Sequence, residues 1–186
     1  VDQALSETMR RVLHHPDFQA VEALWRSVEL LTRRLETGSQ LQLVLYDVTA
    51  EELAADLSAV ESLEDSGLYQ LLVEQPSLDA QQGSISLIVG NYEFEQSPPH
   101  ADLLGRMAKI AAAAGAPFAA AIGNACLKKK DDDVHPMVQE AWSALRQMPE
   151  AVYLALTVPR FLLRWPYGKK TEPIDPFDFE EFTPQY

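Results

Sequence analysis

The fold is decided by residues 84–123, SISLIVGNYEFEQSPPHADLLGRMAKIAAAAGAPFAAAIG. SISLIVGNY (84–92) is a short, largely apolar run closed by a glycine, which predicts a buried strand. HADLLGRMAKIAAAA (100–114) has apolar residues at helical spacing and stops before Gly115, a residue typical of helix ends. PFAAAIG (117–123) is a second short apolar run and a second strand candidate. The order strand, helix, strand predicts parallel strands joined by a crossover.

The same alternation continues on both sides of this stretch. TAEELAADL (49–57) predicts a helix, because Thr49 and Glu52 have the spacing of a capping box. Further helices are predicted at 66–74, 136–148 and 159–165, and further strands at LQLVLYDV (41–48) and VYLALTV (152–158). We therefore predict an α/β fold with a mixed, largely parallel sheet flanked by helices.

Two helices are predicted ahead of the first strand. ALSETMRRVL (4–13) should end before Pro16, because a proline disfavours helical geometry in the residue that precedes it. Pro16 is well placed to begin a second helix that ends near Gly38. Phe18, Val21, Trp25 and Val28 give that helix an apolar stripe.

The predicted organisation is one α/β domain over residues 1–168, in which 1–38 are the leading helices. Residues 169–186 contain prolines, acidic residues and aromatics without periodicity, and predict an extended C-terminal tail. The chain does not begin with methionine, so we expect it to be part of a longer protein.

Composition limits the function classes. With 15 Lys and Arg against 28 Asp and Glu, the 186-residue chain has a formal net charge of −13. Such a surface repels nucleic acids and anionic membranes and favours basic protein surfaces. Cys126 is the only cysteine, which excludes an internal disulfide and favours a reducing cytoplasm. No apolar run reaches the 18 or so residues that a membrane span requires.

The adjacent histidines of HHPDFQAVEALWR (14–26) raise the question of a metal site. Neighbouring residues do not share a helix face, so His14 and His15 make a poor pair of ligands, and helix capping or packing is the favoured interpretation. His100 and His135 are isolated beside prolines, and we predict that both lie in loops. We predict no metal site and no cofactor.

No nucleophile, phosphate-binding or dinucleotide-binding motif is present. Glu93 and Glu95 follow a predicted strand, where α/β enzymes place ligands, and Asp47 lies near the end of another. A small enzyme or ligand-binding domain at these strand exits is the alternative hypothesis. Cys126 lacks an activating pattern, and KKKDDD (128–133) is typical of a solvated loop. We predict no catalytic residue.

Arg160 and Arg164 lie four residues apart in an otherwise apolar segment. A helix over 159–165 would place both guanidinium groups on one face. If buried, each group requires a partner, either a carboxylate in an ion pair or a bound phosphate. The acidic composition favours carboxylates.

Five segments together resemble the large subunit of the contractile tail sheath of type VI secretion systems, the VipB type. They are HHPDFQAVEALWRSVELL (14–31), LIVGNYEF (87–94), IAAAAGAPFAAA (110–121), YLALTVPRFLLRWPYG (153–168) and FDFEEF (177–182). The resemblance covers nearly the whole chain and corresponds to the N-terminal portion of such a subunit. The chain departs from it at Ser27, where glycine is usual, and at Asn91, where aspartate is usual.

The resemblance implies a structural role in the bacterial cytoplasm. Such a subunit pairs with a small sheath subunit and with other large subunits around an inner tube protein, and the sheath contracts to expel that tube. It implies no enzymatic activity. An ATPase that dismantles contracted sheath would recognise a helix in a missing N-terminal region, and interlocking strands would lie in a missing C-terminal part. A standalone relative that caps the sheath is a further alternative.

Overall fold

A computed structural model describes residues 2–78, 83–128 and 134–184. The chain forms two compact units. We call Val1–Leu45 with Phe161–Tyr186 the helical unit, and Tyr46–Arg160 the sheet unit. The predicted boundary between one α/β domain (1–168) and a C-terminal tail (169–186) stays a prediction.

The helical unit begins with the two predicted helices, α1 (Asp2–Leu13) and α2 (Pro16–Arg34). Pro16 occupies the first position of α2, as its fixed backbone angle favours. The predicted end near Gly38 is wrong by a turn, because Leu35 is already extended. No residue of α2 is buried.

The C-terminal part of the helical unit is irregular. An isolated bridge between Tyr167 and Glu172 is the only β-pairing among its described residues. Arg10 of α1 donates from Nε to the Glu180 carbonyl over 2.8 Å, and its guanidinium lies 5.5 Å from the centre of the Phe179 ring. These contacts hold the buried Phe179 against α1.

The sheet unit contains a three-stranded parallel sheet with strand order β1-β2-β3. Its elements are α3 (Ala50–Ser58), α4 (Gly67–Tyr69), α5 (Gln75–Leu78), β1 (Ile88–Phe94), α6 (Pro98–Ala114), β2 (Phe118–Ile122), α7 (Ala125–Lys128), α8 (Pro136–Gln147) and β3 (Leu154–Thr157). A π-helical turn, Gln70–Glu74, joins α4 to α5. Two 3-10 turns lie at Leu63–Asp65 and Pro149–Tyr153. The predicted α/β fold with a parallel sheet and flanking helices is confirmed.

The core of the sheet unit lies on one face of the sheet. Phe118 and Ile122 of β2 pack there with Leu104 and Ile110 of α6 and with Trp142 of α8. Leu104 and Ile110 are fully buried, so this packing supplies the main hydrophobic stabilisation of the unit.

Several local predictions are confirmed by the geometry. The Thr49 hydroxyl accepts from the Glu52 N–H while the Glu52 carboxylate accepts from the Thr49 N–H, which completes the capping box. Gly115 ends α6 in the left-handed conformation, at φ 67°.

Other local predictions are wrong. Residues 41–48 form no strand, because a strand requires hydrogen bonds to a neighbouring backbone and none of the sheet's strands pairs with them. Residues 159–165 form no helix. His100 lies in the first turn of α6, not in a loop. Most of KKKDDD (128–133) lies outside the described residues.

Candidate assembly interface

The two adjacent histidines have separate structural roles. His15 is the N-cap of α2, since its Nδ1 accepts from the Asp17 N–H over 3.3 Å. The ring of His14 stacks on Phe182 at 5.2 Å, and its Nε2 lies 3.9 Å from the Glu181 carboxylate. The predicted capping and packing roles are confirmed. No cluster of metal-ligating side chains occurs among the described residues.

The carboxylates proposed for a ligand site do not converge. Glu93 Oε2 accepts from Arg160 Nη1 over 2.6 Å, in a pair that is about half exposed. The Glu95 backbone N–H donates to His100 Nδ1 over 2.7 Å. Asp47 lies within residues 41–48, which form no strand, so it does not lie at a strand exit.

One polar side chain near these residues has a shifted pKa. Burial is the main cause of the raised pKa of Tyr92, and the negative charges of Glu52 and Asp47 add to it. The Tyr92 hydroxyl donates to the Val48 carbonyl, which fixes the phenol in a structural contact. This hydrogen bond ties Tyr92 of β1 to the segment that precedes α3.

Arg164 occupies the centre of the best-formed polar cluster in the helical unit. Its Nε lies 2.5 Å from Glu22 Oε1 and its Nη2 3.0 Å from Glu22 Oε2, so the pair is bidentate. On the other side, Nη1 lies 2.8 Å from Glu181 Oε2 and Nη2 3.2 Å from Glu181 Oε1. Glu181 is buried, and the side chains of Arg164 and Glu22 are partly buried. The predicted carboxylate partners are therefore confirmed, and both edges of the guanidinium that could bind phosphate are occupied.

The surroundings stabilise the charged forms of this cluster. Hydrogen bonds to Glu22 raise the pKa of Arg164, although burial opposes them. Burial alone would raise the pKa of Glu181, but the hydrogen bonds from Arg164 and from the Tyr167 N–H outweigh it and hold that pKa below its ordinary value. The Tyr167 ring lies 4.5 Å from the guanidinium of Arg164 as a cation–π partner.

Sequence reasoning could not identify the partners of the two arginines. Arg160 and Arg164 do not share a helix face, because residues 159–165 form no helix. Glu22 and Glu181 lie 142 and 17 residues from Arg164, and no local pattern links those positions. A buried arginine predicts a carboxylate, but not which one.

Large apolar side chains remain exposed around this cluster. On α2, Trp25 is 61 % exposed and Val21 57 %, and both belong to the apolar stripe that the sequence predicts. In the segment that carries Arg164, Phe161 is 74 % exposed and Trp165 69 %. Exposed tryptophans are typical of surfaces that bind another protein.

Comparison with known proteins decides the family. Residues 1–186, the whole chain, match the family described as VipB, tail sheath N-terminal domain. The chain belongs to this family. In this tail sheath N-terminal domain, HHPDFQAVEALWR forms the cap and the first turns of α2.

A curated relative of this tail sheath domain is the type VI secretion system sheath protein TssC1 of Pseudomonas aeruginosa. The two are 34 % identical over 196 residues, which covers 98 % of the chain and 39 % of TssC1. The tail sheath domain therefore spans about two fifths of the length of the curated relative that it matches. Among the residues that the structure describes, no helix is long and apolar enough to cross a membrane.

Proposed function

We propose that this chain is part of the large subunit of a type VI contractile sheath, and that it acts as a structural element without catalysis. The match of its full length to the tail sheath N-terminal domain carries this proposal, together with the sheath protein TssC1 as a relative. The subunit assembles with a small sheath subunit and with further large subunits around an inner tube, in the bacterial cytoplasm. Contact with a disassembly ATPase would involve a region outside this chain.

The arrangement of the described residues supports a mechanical role. The Arg164 cluster fixes an irregular segment to α2 by charge-assisted hydrogen bonds, so the surface around it is preorganised. A contracting sheath stores energy as the free-energy difference between two sets of subunit contacts. Such a mechanism requires rigid subunits with large apolar surfaces. It does not require a chemical reaction in the subunit.

Light scattering tests the proposal. The full-length protein that contains this chain is mixed with a small sheath subunit from the same organism, with each protein alone as the control. The proposal predicts a steep rise in scattering from the mixture only. A mixture that stays at the scattering of its separate components would contradict it.

The size of the native chain tests the alternative of a standalone capping relative. An antibody against this domain should detect a band far larger than 20.8 kDa in cells that produce it. A band of about this size would instead favour the capping role.

A further inference from the structure

Exposed apolar side chains border the Arg164 cluster in the helical unit, and we call this group the apolar face. It consists of three residues of α2 and of the residues that directly follow Arg164 and Glu181: Phe18, Val21, Trp25, Trp165 and Phe182. Each is between 38 % and 69 % exposed. We propose that the polypeptide that follows residue 186 in the full-length subunit covers the apolar face with an apolar, largely uncharged stretch. This inference rests on the proposed function, which makes the chain one part of a longer subunit.

The α2 residues of the apolar face form one stripe on the helix. Phe18, Val21 and Trp25 are spaced three and four residues apart, as neighbours on a helix surface are. Glu22 lies at the edge of this stripe, since it is four residues from Phe18 and three from Trp25. The described part of the chain buries no residue of α2. Because such a stripe normally packs on a core, its cover lies outside the described residues.

The tail ends beside the same stripe. The guanidinium of Arg164 bonds to Glu22 of α2 and to Glu181 of the tail, so one side chain joins the two. Phe182 stacks on His14, the residue before the N-cap of α2, with 5.2 Å between the ring centres. Polypeptide beyond the tail therefore continues from a point next to the apolar face.

Tethering favours this polypeptide over any separate partner. A segment joined by a short linker has an effective concentration in the millimolar range, which is about a thousandfold above a partner at micromolar concentration. The relative TssC1 has ample further length for such a segment, because the match covers 39 % of it.

The charges around the apolar face do not select a separate partner. Lysine and arginine nearly balance the acidic residues of the helical unit, so its field steers other proteins weakly. Arg164 is neutralised by Glu22 and Glu181, and Arg26 donates to Glu29 over 3.0 Å. A cover therefore needs apolar side chains and no charges of its own, which is typical of permanent contacts.

Photo-crosslinking in the full-length protein alone tests the inference. A photoreactive aromatic residue replaces Trp25, and mass spectrometry identifies the peptide that it joins. Isotopically light and heavy protein are mixed beforehand, so that a crosslink between two copies gives mixed-label pairs. We expect a peptide from beyond residue 186, in same-label pairs only. Position 19 is the matched control, because Gln19 is exposed on α2 but points away from Val21, and it should give no such crosslink.

Two crosslinking results would overturn the inference. Mixed-label pairs from position 25 would assign the apolar face to a second copy. Failure of position 25 to join any peptide from beyond residue 186 would leave the face uncovered by its own polypeptide.

The stability of the full-length protein, without any other subunit, is an independent readout. A covered tryptophan loses its packing on truncation, so Trp25→Ala should lower the urea midpoint in circular dichroism by about 1 M or more. Gln19→Ala should lower it by less than about 0.5 M. Equal midpoints for Trp25→Ala and wild type would overturn the inference. The crosslinking variant keeps an aromatic ring at position 25, so that experiment stands even where Trp25→Ala does not fold.

The outcomes also separate this inference from the proposed function. Full-length protein that polymerises with the small sheath subunit, but gives no crosslink beyond residue 186, would overturn the inference alone. A native chain of about 20.8 kDa would overturn both, since no further polypeptide would exist to cover the face.

Discussion

Replacing Arg164 with alanine should strongly destabilise the helical unit. The change leaves the carboxylates of Glu22 and Glu181 facing each other without the guanidinium that lies within 3.2 Å of both. The side chain of Glu181 is only 5 % exposed. Breaking a fully buried pair costs about 3–5 kcal/mol, and partial access of water to Glu22 reduces the expected cost here to about 2–3 kcal/mol.

Urea denaturation followed by far-UV circular dichroism measures this loss, because unfolding of α1 and α2 removes their helical signal. The midpoint of Arg164→Ala should fall by at least about 1 M urea. The matched control is Arg33→Ala, which removes an exposed pair with Glu29 at 2.7 Å and should cost less than about 0.5 kcal/mol. Equal midpoints for the two variants would refute a buried role for Arg164.

Three further predictions concern acid, packing and capping. The pKa of Glu181 in the folded chain lies below the 4.5 of an ordinary glutamate, so this carboxylate contributes stability above about pH 4.5 that is lost as pH falls through its folded pKa. Arg164→Ala leaves burial to raise that pKa, so acid unfolding of this variant should begin at a higher pH in a fluorescence titration. A Cβ at Gly90 would lie 2.5 Å from the Phe118 ring, whereas one at Gly38 meets nothing within 4 Å. Gly90→Ala should therefore cost about 1–3 kcal/mol in thermal unfolding and Gly38→Ala almost nothing, and equal melting temperatures would contradict the packing. Thr49→Ala removes the capping box of α3 and should cost about 1 kcal/mol, while Thr8→Ala, at an exposed hydroxyl inside α1, should cost markedly less.

The sequence predicted the parts of this fold that are encoded locally. The start of α2 at Pro16, the cap at Thr49 and the end of α6 at Gly115 each depend on residues within one turn. The strand–helix–strand order of residues 84–123 was sufficient to predict a parallel sheet, because only a crossover can join parallel strands.

The two wrongly predicted elements, at 41–48 and 159–165, depended on partners that are distant in sequence. LQLVLYDV (41–48) has the composition of a strand, but no neighbouring strand bonds to it. The apolar run at 159–165 resembles a helix, yet Arg164 is held by carboxylates on α2 and in the tail. The exposure of Trp25 could not be predicted either, since an amphipathic stripe does not indicate whether the residues that pack on it belong to the same chain.

The position of this protein within sheaths isolated from cells tests the central claim most directly. Antibody labelling of purified sheaths, viewed by electron microscopy, shows where the domain lies. We predict label along the full length of hollow tubes, with the large and small subunits present in equal numbers by mass spectrometry. Label at the tube ends alone, or none on the tubes, would contradict a sheath-building role.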